Sequence, residues 1–393
     1  MPDKMSLRRG DAEPNTSGVS ALIIAAELLA RPLCKVPAVL GSPPLLLGTR
    51  RLLRAVLLST SMLMVRQARA SECSKNPRFS PCLDANTLWL PAGRAVFLSM
   101  PDTRVINPGQ LGFAASGELL HQPLVVRAPS PDREGRDVQV LQSAVDVSYS
   151  LALGVLRNLE ASALASLRVH QSGAGSGGID SQSAPPLSHN AVRDPRVGLA
   201  YSLDEAIAVP GLGLRLAFDV TLPLGEREPF ANERSFVVMP SVTFGLRRGA
   251  LRLGAEFGAR LRQAVDFAGV ELGNQGYIGL GVAGSLLPRW LTLSAEVFGL
   301  PPLSESRGSA ASPRVTSVRL FPAEWLLGAH SSFGSRGPWT FTIAAGSGLP
   351  FSSETRESSS GSETSYFAGM TTPDFRSLIV VRFAPTDPSA PLD

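Results

Sequence analysis

With 393 residues, a formal net charge of +4 and 44% hydrophobic residues, the chain could form two or three soluble domains or one large barrel. Apolar residues are plentiful, yet no uninterrupted run approaches the ~18 residues of a helical membrane span. The positive charge is spread along the chain with no basic cluster interleaved with aromatics, which argues against nucleic acid as a partner.

The first 70 residues carry an export pattern. Arg50, Arg51 and Arg54 precede the largely apolar run from Ala55 to Val65, and Ala68-Arg69-Ala70 follows it. A charged n-region, a short h-region and a small-x-small site predict a signal peptide over 48–70. Residues 1–47 then read as a start-site extension, with translation beginning downstream at a non-methionine codon. A short anchor at Val19 to Ala30 is the competing reading, but Glu27 interrupts it and Pro32 ends it too early to span. Export suits the cysteines: with Cys34 in the leader, Cys73 and Cys82 form an even pair, expected as one disulfide in an oxidising periplasm. Lipidation of Cys73 is disfavoured by Glu72 immediately before it, and two cysteines without a nearby histidine cannot fill a zinc site. Residues 71–107, with Trp89 and several prolines, fit neither signal nor strand. They are expected to stay in the periplasm, cap the barrel base or enter the lumen as a plug.

From residue 108 to 384 the pattern has a period of two. In "LRLGAEFGARLR" (251–262), Leu251, Leu253, Ala255, Phe257, Ala259 and Leu261 alternate with Arg252, Gly254, Glu256, Gly258, Arg260 and Arg262. A strand with an oily side and a charged side results. About twelve such segments are predicted: 110–120, 138–153, 158–170, 195–203, 211–223, 235–246, 251–262, 275–286, 290–300, 323–332, 338–348 and 374–383. Most match the ~9–11 residues a tilted strand needs to cross a bilayer. Short connections around Leu156-Arg157, Arg247-Arg248-Gly249 and Pro288-Arg289 alternate with longer polar ones: 121–137, 171–194, 224–234, 263–274, 301–322 and 349–373. Outer-membrane barrels combine short periplasmic turns with long extracellular loops in this way, and an even strand count places both chain ends in the periplasm. The expected fold is therefore all-β, a closed antiparallel transmembrane barrel of about 12 strands, with residues 385–393 as a tail. Its apolar face would meet outer-membrane lipid. The final strand ends on Phe383, an aromatic finish that resembles the signal read by the barrel-assembly machinery.

If the leucines face lipid, the charges face the lumen. Arg215, Asp219, Arg252, Glu256, Arg260, Glu296, Arg376 and Arg382 are the candidate lumen-lining residues, with Asp146, Glu160, Arg168, Arg196, Arg247, Arg262 and Glu324 on the same face. An arginine majority suggests a mildly anion-favouring pore; the bland alternative is a salt-bridged, closed interior. Gly173–Gly178 and Gly279–Gly284 match a dinucleotide-binding spacing, but the first runs into a Ser/Pro-rich loop and the second continues a strand. No cofactor is expected. Gly279 and Gly281 are instead expected to relieve crowding beside Glu256 and Arg260. Of His121, His170, His189 and His330, a hydrolase would require one to meet a serine, with His170 first and His330 next.

"DPRVGLAYSL" (194–203), "GAEFGARLRQAVDFAGVELGNQGYIGLGV" (254–282) and "PAEWLLGAHSS" (322–332) resemble the amino-terminal barrel region of OmpA-family outer-membrane proteins from myxobacteria and their relatives. "RAPSPDREGRDVQV" (127–140) and "QSGAGSGG" (171–178) extend the similarity over most of 73–385. Such relatives often continue into calcium-binding repeats and a peptidoglycan-binding domain; this chain ends at Asp393 without them, so the resemblance implies a barrel and no wall anchoring. The expectation is an outer-membrane barrel without enzymatic activity, serving as a pore or transporter for small solutes. The alternative is a closed structural barrel whose loops meet extracellular partners.

Overall fold

The computed structural model describes residues 80–128, 136–175, 177, 187–204, 207, 209–226, 228–267, 270–287, 290–303, 321–333, 338–349 and 372–385. The expected leader, the tail beyond Pro385 and Cys73 lie outside them. Twelve described strands form the wall: β1 (Leu111–Ala128), β2 (Arg136–Leu156), β3 (Leu159–Ser172), β4 (Arg196–Ser202), β5 (Leu212–Thr221) and β6 (Val237–Arg248), then β7 (Leu251–Arg260), β8 (Gln275–Leu287), β9 (Leu291–Gly299), β10 (Ala323–Phe333), β11 (Trp339–Gly348) and β12 (Phe375–Phe383). Each pairs antiparallel with its sequence neighbours, and β12 returns to pair with β1 from Phe113↔Phe383 to His121↔Phe375. Around the wall itself, among the described residues, closure leaves no unpaired edge, which is the condition for strands to live in lipid.

Alternation sorts side chains as the pattern requires. On β7, Phe257 is 47% exposed while Glu256 beside it is 4% exposed. Leu199, Phe218, Leu280, Leu293, Leu327, Ile343 and Ile379 continue the outward band around the wall. Water would face an apolar belt far larger than a soluble monomer carries, so the belt is the lipid face. Near the short turns, Phe113, Trp339 and Phe383 pack with ring centroids 5.0–5.4 Å apart, as one section of an aromatic girdle.

Two departures from the sequence reading occur at the loop end. β1 and β2 run past the wall as an extended hairpin, and the connection 263–274 holds its own small hairpin, Val265–Phe267 with Val270–Leu272. Their apolar residues have a partner there. Leu124, Val126, Val140, Leu141, Phe230, Phe267 and Leu272 form a buried core with Leu83 and Ala85 at the loop end.

The chain ahead of β1 also corrects the expected topology. Near Ser80 it lies against the β5–β6 loop, where Phe230 N–H donates to Pro81 and Ala85 N–H to Phe230. By Asn107 it has reached the opposite end, where Gly109 N–H donates to Gly154 beside the β2–β3 turn. It therefore runs the length of the lumen. The described chain enters the barrel from the loop end and leaves it, after Phe383, at the turn end, so an even strand count does not put both ends on one side.

Candidate functional site

Residues 80–107 are held almost entirely by inward-facing wall residues. Glu296 on β9 takes the backbone N–H groups of Leu98 (2.8 Å) and Ser99 (2.8 Å) and the Ser99 hydroxyl (2.7 Å). Glu160 on β3 takes the Ile106 N–H at 2.9 Å. Arginines hold the carbonyls: Arg260 binds Thr87 O (2.9 Å), Arg196 binds Leu90 O, Arg382 binds Ala95 O (2.8 Å), and Arg215 binds Asp102 O (3.2 Å). Trp89 lies between two guanidinium groups, 4.6 Å from Arg196 and 4.4 Å from Arg260.

Near the loop end the contacts become a charge network. Arg376 reaches Glu324 at 2.7 Å, pairs with Glu118 and donates to Asn86 of the plug. Arg168 and Arg193 both engage Asp146 and the plug's Asp84. At the turn end, Arg247 pairs with the plug's Asp102 at 2.8 Å. Burial alone would raise the Asp102 carboxyl, but Arg247 and Arg104 outweigh it and hold it at about 2. Asp194, in the β3–β4 loop, is pushed up to about 6 by burial together with Asp84 and Glu233, against the N–H donors of Gly225 and Arg234.

A row of glycines forms the seat. Gly213, Gly245, Gly254 and Gly281 stand opposite one another on β5 to β8. A Cβ on Gly254 would come within 2.6 Å of the Phe97 ring, and one on Gly281 within 2.7 Å of it. Gly279 faces Met100. The crowding these glycines relieve thus comes from the plug, where the sequence reading placed it with Glu256 and Arg260.

The expected lumen residues fall as follows. Arg215, Glu256, Arg260, Glu296, Arg376 and Arg382 are buried inside the wall, and Asp219 and Arg252 are partly buried. Arg215, Arg260, Glu296, Arg376 and Arg382 touch the plug, whereas Asp219 and Glu256 border a void of about 50 Å³ beside Trp89. A second void, near Asp84 and Glu118, measures about 40 Å³. Either holds only a few waters. A cavity of about 350 Å³ lies at the turn end between Phe97, Thr103 and the 207–213 turn. Sequence reasoning passed over Glu118, although it shares parity with buried Ala114, Ser116 and Leu120. It also missed Asp102 and Arg193, which sit outside the wall strands and have no periodicity to mark them. Cys82 is disulfide-bonded, and its partner lies outside the described residues.

His170 stacks on His189 at 6.1 Å at the loop edge. His330 does meet a serine: Ser294 Oγ is 2.8 Å from Nε2, and Thr342 Oγ1 is 2.9 Å from Nδ1. Three features point away from catalysis. The pair is buried inside the wall, the orienting group is a neutral hydroxyl in place of a carboxylate, and all three residues lie within strand ladders that consume neighbouring N–H groups. Among the described residues no group of three or more His, Cys, Asp or Glu side chains is placed to hold a metal ion.

The geometry defines a class: a closed 12-stranded antiparallel barrel of the outer-membrane type, with an internal plug. No known family model and no curated protein matches the chain. Among solved structures it is similar to an outer membrane channel of Pseudomonas putida F1, with a TM-score of 0.51 and 10% identity over 73% of this chain and 99% of that one. The KdgM porin (TM-score 0.37, 7% identity) and the NanC porin (0.39, 11%) each align over 70% of this chain, and over 99% and 100% of their own. At these identities the likeness concerns the fold.

Proposed function

We propose that the protein is an integral outer-membrane channel for small solutes, kept closed at rest by residues 80–107. On this reading the loop end faces the exterior, the turn end faces the periplasm, and the barrel-assembly machinery inserts the chain through its aromatic-ended last strand. The kinship with OmpA-family barrels belongs to the same proposal.

One observation carries it: the wall does not fill its own lumen. A barrel built to be solid packs its interior with large side chains from its own strands. Here glycines, serines and alanines line much of the interior, and one continuous segment occupies the space, attached through polar contacts and through packing of Leu88, Leu90 and Leu98 on Phe298, Leu326 and Leu378. Buried polar contacts of this kind stabilise less than apolar packing of the same volume, so the polar share of the attachment is the part most easily given up when the segment leaves. The apolar core at the loop end and the packing of plug leucines on the wall support a second reading, a permanently closed structural barrel.

Planar-bilayer recording separates the two. The intact chain should be mostly silent, and a variant lacking Asn86–Pro101 should give steady openings once heat-shifted gel mobility confirms a folded barrel. Silence from that folded variant would overturn the channel reading and leave the structural one.

A further inference from the structure

Four wall arginines follow the plug in order, from Arg260 at Thr87 through Arg196 at Leu90 and Arg382 at Pro91 and Ala95 to Arg215 at Asp102. Arg215 also has a carboxylate partner, Glu160 at 3.1 Å. The other three differ. Among the described residues, the hydrogen bonds of Arg196, Arg260 and Arg382 go to neutral main-chain carbonyls, and their countercharges, Asp219 and Glu256 for Arg196, Glu233 for Arg260 and Glu296 for Arg382, act on them without a direct hydrogen bond. Arg260 and Arg382 are 3% and 6% exposed, and each keeps a buried Nε–H without a hydrogen-bond partner. A buried unpartnered donor is costly, and a guanidinium fork is built to take two oxygens of one group. The same arginines supply a second element: Arg196 and Arg260 face the Trp89 ring from 4.6 and 4.4 Å. Vacated by the plug, that clamp fits a flat π-surface.

We infer that Arg196, Arg260 and Arg382 are the solute-reading residues of this lumen, that their ligands are planar aromatic carboxylates, and that the plug occupies the site as a stand-in, its carbonyls in place of carboxylate oxygens and Trp89 in place of the ring. The inference rests on the channel reading. A carboxylate supplies what peptide oxygens lack, a countercharge in direct contact and a paired set of acceptors, so it competes with the plug for these arginines. Neutral aromatics have the ring without the countercharge, and chloride has the charge without the paired geometry.

The test uses the full chain in detergent or nanodiscs with Ala92→Cys in the plug, whose labelling by a bulky maleimide reports plug release. Sodium benzoate should raise the labelling rate at least fivefold over sodium chloride of equal ionic strength and over benzamide at equal concentration. The increment should vanish in Arg260→Gln and in Arg382→Gln, whatever their starting rates. Wild-type-sized increments in both variants, or equal effects of benzoate and chloride, would overturn the assignment. Bilayer recordings run in benzoate keep the two claims apart: benzoate-dependent labelling without conductance would preserve the site and remove the channel, whereas conductance with no benzoate dependence would do the reverse.

Discussion

Glu296 is the strongest single attachment of the plug, and its removal tests whether the plug is seated as described. Its carboxylate accepts two backbone N–H groups and one hydroxyl at 2.7–2.9 Å, all buried. A hydrogen bond to a charged group contributes about 1.5–3 kcal/mol, and a donor left buried without a partner loses a similar amount. Allowing for relaxation of a segment without secondary structure, Glu296→Ala should weaken seating by about 3–6 kcal/mol, a shift of roughly 10²–10⁴ in the closed-to-open ratio at ~1.4 kcal/mol per tenfold. Glu296→Gln keeps one acceptor oxygen and should lose about half of that. The barrel itself should survive, because the β9 ladder uses backbone groups that neither substitution touches. Amide hydrogen exchange at Leu98 and Ser99 reads the local effect, and open probability in a bilayer reads the functional one. If exchange at those two amides rises less than tenfold in Glu296→Ala while heat-shifted mobility is unchanged, the plug is held by something other than these bonds, and the argument fails.

Other consequences follow from the same contacts. Gly254→Val would drive a branched side chain into the space of the Phe97 ring, so it should raise open probability, whereas Gly284→Ala, where an added methyl meets nothing, should not. Asp102 has a folded value of about 2 against an ordinary 3.8. Its lowered value means that its share of plug seating, about 2 kcal/mol, is complete above pH ~4 and is lost as the pH falls through about 2. Asp102→Asn should remove that acid sensitivity in plug-labelling assays. Asp194 works in the opposite direction: raised to about 6, it binds its proton more tightly folded than unfolded. Its contribution therefore declines as pH rises from about 4 through 6, and Asp194→Asn should flatten hydrogen exchange of the 191–195 segment across that window. An epitope placed just ahead of Ser80 should be stained by antibody on intact cells, and staining only after outer-membrane permeabilisation would reverse the direction assigned to the plug.

The wall was legible, whereas the plug was legible only as one of three expectations for residues 71–107, and the difference is physical. A strand buried on one face and lipid-exposed on the other writes its orientation into every second residue, so Leu251, Leu253 and Phe257 against Arg252, Glu256 and Arg260 were enough to set the lipid side. The alternation of short and long connections then pointed to an antiparallel outer-membrane barrel, and the pairing of the last strand with the first closes it. Nothing comparable marks residues 80–107. The wall grips that segment mostly by its main chain, at Thr87, Leu90, Ala95, Leu98, Ser99 and Ile106, and a main-chain atom is the same whatever the side chain. The available signal was on the other partner. Gly213, Gly245, Gly254 and Gly281 fall on the inward parity of four successive strands, and strand interiors discard side chains chiefly where another backbone or ring must come close. Glu256 and Arg260 were the wrong neighbours to invoke for Gly281, because on β7 they occupy other registers, with Gly254 directly opposite. An inward glycine facing an inward glycine has no wall side chain to make room for. That pairing, readable from register alone, calls for a third body inside the barrel, and Phe97 and Met100 supply it.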